Sequence, residues 1–173
     1  MFGTSKDIKY PGLNILPPGV ERYVVEGGGL TGIQISPDDE IEIINNEGNQ
    51  ICEIICFNKD GKSDVGILNL KSNNKKNFIR NILNGKDETI LATNYQLKKR
   101  NLKISNSKSS IVFDPDSKPG EKSKLKSKDK CYAIFAAPGV DMDVTKQNPP
   151  TDLTIFIKTN NFTYLITFII NYF

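Results

Sequence analysis

The sequence predicts a mainly β fold of antiparallel sheets packed as a sandwich or barrel, with one or two short α-helices around residues 75–84 and 88–102. Three observations carry that expectation. Strand-length runs rich in Val, Ile, Tyr and Phe recur along the chain, bounded by Gly, Pro, Asn or Asp. Several of them alternate apolar and polar residues with a period of two, the pattern of a strand with one buried face. Helical spacing appears only between residues 74 and 102.

Residues 1–17 mix polar and apolar types and are punctuated by Pro11, Gly12 and Pro17, which reads as an arm lying on the domain. Residues 21–26 form a β-branched and aromatic run. Gly27-Gly28-Gly29 then reads as a hairpin turn into a second strand at 30–35. Ser36-Pro37-Asp38-Asp39 has turn chemistry, and the alternation over 40–45 predicts that Ile41 and Ile43 share a buried face. The turn at 46–49 leads into residues 50–58, whose nearly continuous apolar character predicts burial on both faces and a hairpin with the strand before it.

After a turn at 59–62 the period changes. Phe78, Ile79, Ile82 and Leu83 recur at helical spacing, and Asn84-Gly85 supplies a stop. Asp87 is placed to cap a second helix that would bury Leu91, Tyr95 and Leu102 and expose Lys98, Lys99 and Arg100. Residues 109–113 read as a strand. Residues 114–130 read as a solvated, lysine- and serine-rich loop in which Leu125 hints at a strand segment, and 131–137 and 153–158 are strands. The last residues, 159–173, differ in composition from the rest and read as an apolar tail not native to the domain, of the kind AT-rich DNA encodes out of frame or past a join. The expected division is therefore an arm at 1–17, one domain at 18–158 and a tail at 159–173. That tail falls short of the roughly 20 apolar residues a spanning helix needs, so no membrane association is expected.

A chain of 173 residues with 38% hydrophobic and 25% charged side chains sits in the range of a single folded domain. Its 23 basic and 20 acidic residues nearly balance, and Arg22, Arg80 and Arg100 are its only arginines. A nucleic-acid partner, which calls for a strongly basic face and forked donors, is not expected. Three cysteines, an odd number, with no secretory leader pattern predict reduced thiols and a cytoplasmic location.

The chain contains no histidine, which removes the commonest general base and zinc ligand. Cys52 and Cys56 would lie about 13 Å apart on one extended strand, too far to share an ion. The three cysteines read best as small buried hydrophobes, with a reactive thiolate as the functional alternative. Gly27-Gly28-Gly29 lacks the following helix and lysine of a phosphate loop. Loops on a rigid β scaffold are where binding residues concentrate, so the turn Glu47-Gly48-Asn49-Gln50 and the pair Asp141 and Asp143 are candidate ligand contacts.

At these residues the sequence resembles the urea-carboxylase-associated domain family of unknown function. In particular it resembles the branch found at the N-terminus of aminomethyltransferases like the glycine-cleavage T protein. The residues that carry the likeness are Pro18-Gly19 with Arg22-Tyr23, Gly27-Gly28-Gly29, Pro37-Asp38-Asp39, Glu47-Gly48-Asn49-Gln50 followed by Cys52-Glu53, Asp60-Gly61 with Asp64, Ala136-Ala137-Pro138-Gly139 with Met142-Asp143, and Pro149-Pro150-Thr151-Asp152-Leu153.

The resemblance implies an accessory or small-molecule-binding β domain, with Arg22, Glu47, Gln50, Cys52 and Asp143 as ligand-binding candidates and a small amine or carboxylate as ligand. It implies an aminomethyltransferase region in cis, acting on methylated amines, and assigns tetrahydrofolate to that region; no cofactor is expected in this chain. In the wider family a His-Asp pair and a cysteine look like metal ligands. Here Met142-Asp143 stands in place of His-Asp and Pro138 falls close to the cysteine position, so no metal site is carried over. The alternative reading is a small metal-assisted enzyme using Glu47, Cys52 and Asp143.

Overall fold

Two four-stranded antiparallel sheets face each other, and almost every connection crosses from one to the other. The protein is described by a computed structural model over residues 16–73, 77–105, 107–139 and 149–159. Its strands are β1 (Val20–Val25), β2 (Leu30–Ile35), β3 (Glu40–Asn45), β4 (Glu53–Phe57), β5 (Ser109–Ile111), β6 (Glu121–Lys126), β7 (Cys131–Ala136) and β8 (Leu153–Lys158). The sheet orders are β1-β8-β3-β6 and β2-β7-β4-β5, which is the strand order of a jelly roll. The mainly β, sandwich-like expectation holds.

The local pairings expected from sequence do not. β1 pairs with β8 and β2 with β7, so Gly27-Gly28-Gly29 is a corner between sheets and not a hairpin turn. The turn at 46–49 likewise joins β3 in one sheet to β4 in the other. The glycines serve close approach: the Gly27 N–H donates to Asp152 Oδ1 at 2.9 Å, and a Cβ on Gly27 would lie 2.3 Å from the Pro150 carbonyl oxygen. Part of the expected lysine loop is β6, an edge strand whose exposed Lys122, Lys124 and Lys126 discourage pairing with another chain.

Inward-facing residues of both sheets fill the space between them. Val25, Ile33, Ile35, Ile41, Ile43, Cys52, Ile54, Cys56, Phe135, Leu153 and Ile155 form one apolar cluster there. Ile41 and Ile43 are buried together, as their alternation predicts. β4 is buried along its whole length because its other face, with β2 and β7, is covered by a helical layer.

That layer consists of α1 (Phe78–Ile82) and α2 (Glu88–Lys99), which present Ile79, Ile90 and Leu97 to Leu30, Ile55, Phe57, Tyr132, Ile134 and Ala136. Both helices are shorter than expected. In α2 the buried stripe is Ile90, Thr93 and Leu97, whereas Leu91 and Tyr95, expected inside, are 54% and 61% exposed. Asp87 occupies the N-cap position without a side-chain hydrogen bond, so it does not cap in the expected way. Among the described residues no helix is long and apolar enough to cross a membrane. Residues 1–15 of the arm expected at 1–17 and residues 160–173 of the tail lie outside the described residues, as do Asp141 and Asp143.

Candidate functional site

Four of the motifs scattered along the sequence, at 27–29, 47–50, 136–139 and 149–153, meet at one end of the sandwich. Gln50, at the entry to β4, is buried there; its Nε2 donates to the carbonyls of Ile51 and Pro138 at 2.9 Å each, and its Oε1 accepts from the Thr151 N–H at 2.8 Å. Asn45 is also buried, donating to the Gln50 carbonyl and the Ser117 hydroxyl while its Oδ1 accepts from the Gly48 N–H. Gly28 N–H donates to the Ala137 carbonyl at 2.7 Å. This network joins the corners at 27–29, 46–50, 137–138 and 150–152. Its amide groups are spent on one another, as buried polar groups generally are, while the buried Thr151 Oγ1 beside them has no hydrogen-bond partner among the described residues.

Of the sequence candidates, Glu47 and Gln50 share a turn but face opposite ways: Glu47 lies in solvent and Gln50 inside. Cys52 is fully buried between the sheets, where burial pushes its thiol far above the usual range, with Glu53 adding to the shift. Cys56 and Cys131 are hydrogen-bonded to each other. That bond pushes Cys56 up and draws Cys131 down, against burial, which raises both. All three cysteines are free thiols. Among the described residues no group of three or more Cys, Asp or Glu is placed to hold a metal ion.

Glu53 was not singled out as a buried carboxylate. It is fully buried on the helical side of β4, where it accepts the Ile79 N–H at 2.7 Å at the start of α1. The signal was a lone acid inside an apolar strand run, which demands a partner.

Arg22 lies apart from these residues, on the outer face of the sheet formed by β1, β8, β3 and β6. Strand alternation places Arg22, Phe156, Glu42 and Lys124 in one transverse row, and Val24, Thr154, Ile44 and Lys122 in the next. Around Arg22 opens a cleft of about 510 Å³ lined by Leu16, Ile44, Asn46, Thr154 and Phe156. Asn46 Nδ2 donates to Thr154 Oγ1 at 3.1 Å and to the Asp152 carbonyl at 3.2 Å, which ties the cleft to the corner network.

Phe156 also borders a second cleft, of about 630 Å³, with Glu40, Glu42, Lys124, Lys126 and Lys158. The acids there are neutralised: Glu42 pairs with Lys122 at 3.0 Å and Lys124 at 3.7 Å, and Glu40 with Lys158 at 3.9 Å. Arg22, by contrast, has no carboxylate partner among the described residues. Phe156, Thr154 and Asn46 were not foreseen as cleft residues. The available clue was an aromatic at an outward position of the alternating strand at 153–158.

No protein-family model matches the chain. Over 151 residues, 87% of its length, the chain is 32% identical to trimethylamine-oxide aldolase of Ruegeria pomeroyi DSS-3. Those residues make up 19% of that protein, so the chain spans about a fifth of the length of this relative. Among solved structures, it is similar at a TM-score of 0.46 and 10% identity to a DUF1989 family protein from Silicibacter pomeroyi DSS-3, covering 83% of this chain and 80% of that one.

Proposed function

We propose that this chain is an accessory, ligand-binding domain of a protein that processes small methylated amines, and that the Arg22 cleft takes the ligand. The observation that carries the reading is an arginine without an acid partner among the described residues, standing in register with Phe156 at a cleft of ligand size. A guanidinium binds an oxyanion through several directed N–H groups, and Phe156, Ile44 and Leu16 offer an apolar wall to methyl groups. Trimethylamine oxide, named in the relative, has both ends: a polar N–O oxygen and a trimethylated nitrogen. So do sarcosine and dimethylglycine, each with a carboxylate. An aminomethyltransferase region using tetrahydrofolate would stand in cis, and residues 18–158 would be the folding unit.

Titration followed by backbone amide NMR tests this. Thermal shift alone does not serve, because trimethylamine oxide stabilises folded proteins in general by exclusion from their surface. The expected result is a saturable response at Asn46, Thr154 and Phe156 with at least one of trimethylamine oxide, sarcosine and dimethylglycine, weakened tenfold or more by Arg22→Gln and by Phe156→Ala. Absence of saturation, or an unchanged response in Arg22→Gln, removes the proposal.

A second reading is an enzyme acting on its own, and what favours it is that the relative is named as an enzyme, an aldolase. Consumption of trimethylamine oxide by this chain alone would select it, and stoichiometric metal in protein prepared without chelator would select its metal-assisted form.

A further inference from the structure

On the opposite side of the molecule, where the helical layer ends, three cations surround one concavity. The cleft measures about 490 Å³ and has Phe57 and Tyr132, register partners on β4 and β7, at its floor. One wall is the turn after β4, in which Asn58 Oδ1 accepts the N–H groups of Asp60 and Lys62, so that the backbone carrying Lys59 is fixed. The other wall is the chain reversal after α2. There Asn101 adopts a positive φ of 53°, and the N–H groups of Asn101 and Leu102 bond back to the carbonyls of Lys98 and Leu97. Lys130 closes the third side just before β7.

Arg100 is the organised member of this group. The reversal folds its side chain back over the sheet, where Nη1 donates to Gln34 Oε1 at 2.7 Å and the guanidinium carbon lies 4.9 Å from the centre of the Tyr132 ring. Gln34 is in turn held by its own Nε2, which donates to the Cys131 carbonyl at 2.8 Å. A third, longer contact runs from Nε to Gln96 Oε1 at 3.5 Å, so the plane of the guanidinium is fixed while its Nη2 makes no protein hydrogen bond among the described residues. Among those residues Arg100, Lys59 and Lys130 form no ion pair, and Asp60 is the only acid lining the cleft.

We infer that this cleft is a binding site for a phosphate-bearing small molecule, held by the Arg100 fork and by Lys59 and Lys130. Three cations against the single carboxylate of Asp60 leave the concavity positive on balance, and such a surface concentrates the field and draws in anions. A guanidinium already fixed by Gln34 and Tyr132 loses little freedom on meeting a planar face of phosphate oxygens. The site is separate from the Arg22 cleft, with which it shares no lining residue.

The experiment is an amide NMR titration of the full chain at low ionic strength with two probes, inorganic phosphate and phenyl phosphate. Both should give saturable shifts confined to residues 57–61, 100–102 and 130–132, and tighter binding of phenyl phosphate would show that an organic body adds to the phosphate. Arg100→Gln and the double variant Lys59→Ala, Lys130→Ala should each weaken binding at least tenfold, while Arg22→Gln leaves it within twofold. A second double variant, Lys124→Ala, Lys126→Ala, removes the same charge from the other sheet and should also leave it within twofold. Equal weakening by the two lysine pairs, shifts centred on Arg22, or no saturation with either probe overturns the inference. The lysine pair at 59 and 130 is exposed, so its result stands even if Arg100→Gln is unstable.

Discussion

Gln50 holds Pro138 to Thr151: its amide nitrogen donates to the Pro138 carbonyl at 2.9 Å and its amide oxygen accepts the Thr151 N–H at 2.8 Å. The two partners follow β7 and precede β8, so one buried side chain ties the end of one strand to the approach to the next. Gln50→Ala leaves three backbone groups, the carbonyls of Ile51 and Pro138 and the Thr151 N–H, to find other partners in a buried site and should cost about 2–4 kcal/mol. Denaturant unfolding checks this. A loss below about 1 kcal/mol would mean that water replaces the amide without penalty and that the tie does not depend on it.

Gly27 and Gly120 separate crowding from backbone conformation. A Cβ on Gly27 meets the Pro150 backbone at 2.3 Å, whereas Gly120 has φ +74° and open space around it. Gly27→Ala must move the corner against the Pro150 segment and should lose about 3 kcal/mol, at the upper end of overpacking effects. Gly120→Ala should lose only the left-handed penalty of about 1–2 kcal/mol. Thermal or chemical unfolding of the two variants side by side tests the order.

Strand positions were legible from sequence because the two-residue alternation of Ile41 and Ile43, or of Leu153, Ile155 and Ile157, reports a buried face directly. Pairing was not, because Gly27-Gly28-Gly29 and Glu47-Gly48-Asn49 have the same composition whether a turn closes a hairpin or carries the chain to the facing sheet. In a jelly roll the partner of β1 is β8, more than a hundred residues away, and no local signal encodes that distance. The Arg22 cleft was half legible for the same reason: the arginine stood out, but its neighbours come from β3 and β8, which only the sheet order brings beside it.

The second helix shows how a small phase error changes the outcome. Leu91 and Tyr95 are four apart and so share a helix face, yet that face is the exposed one; Ile90, Thr93 and Leu97 pack on the sheet. Thr93 can sit inside this stripe because its hydroxyl is satisfied within the helix, donating to the Thr89 carbonyl at 2.8 Å. Leu97→Ala should therefore cost about 2–4 kcal/mol and Leu91→Ala no more than about 0.5 kcal/mol. Equal losses would mean the helix docks in the other phase.

Thiol chemistry should report folding and not function. Cys52, Cys56 and Cys131 are at most 2% exposed, and burial disfavours the thiolate at each. Ellman-type titration of the native chain near neutral pH should label none of them within minutes, and addition of denaturant should release all three. Rapid native labelling of Cys131, the member of the pair drawn down by its hydrogen bonds to Cys56 and Ser127, would show that β7 opens locally at its first residue.

Asp39 should make stability depend on acidity in the direction opposite to an ion-paired carboxylate. Its side chain is 3% exposed, Oδ2 accepts the Ser36 N–H at 2.8 Å, and Oδ1 has no hydrogen-bond partner among the described residues. Burial raises its pKa above the ordinary 3.8, outweighing the bonds from Ser36 and Thr159. The unfolded chain then releases this proton more readily than the folded one. Asp39 contributes its full stability below pH 3.8, and that contribution falls away as pH rises through the higher folded value. Asparagine keeps an acceptor for the Ser36 N–H and carries no charge to desolvate. Unfolding curves of Asp39→Asn and the parent from pH 3 to 7 should therefore show the variant gaining on the parent as pH rises. A difference that stays flat, or that shrinks toward neutrality, would mean that Asp39 is ionised and well solvated in the folded protein, with its second oxygen bound to water.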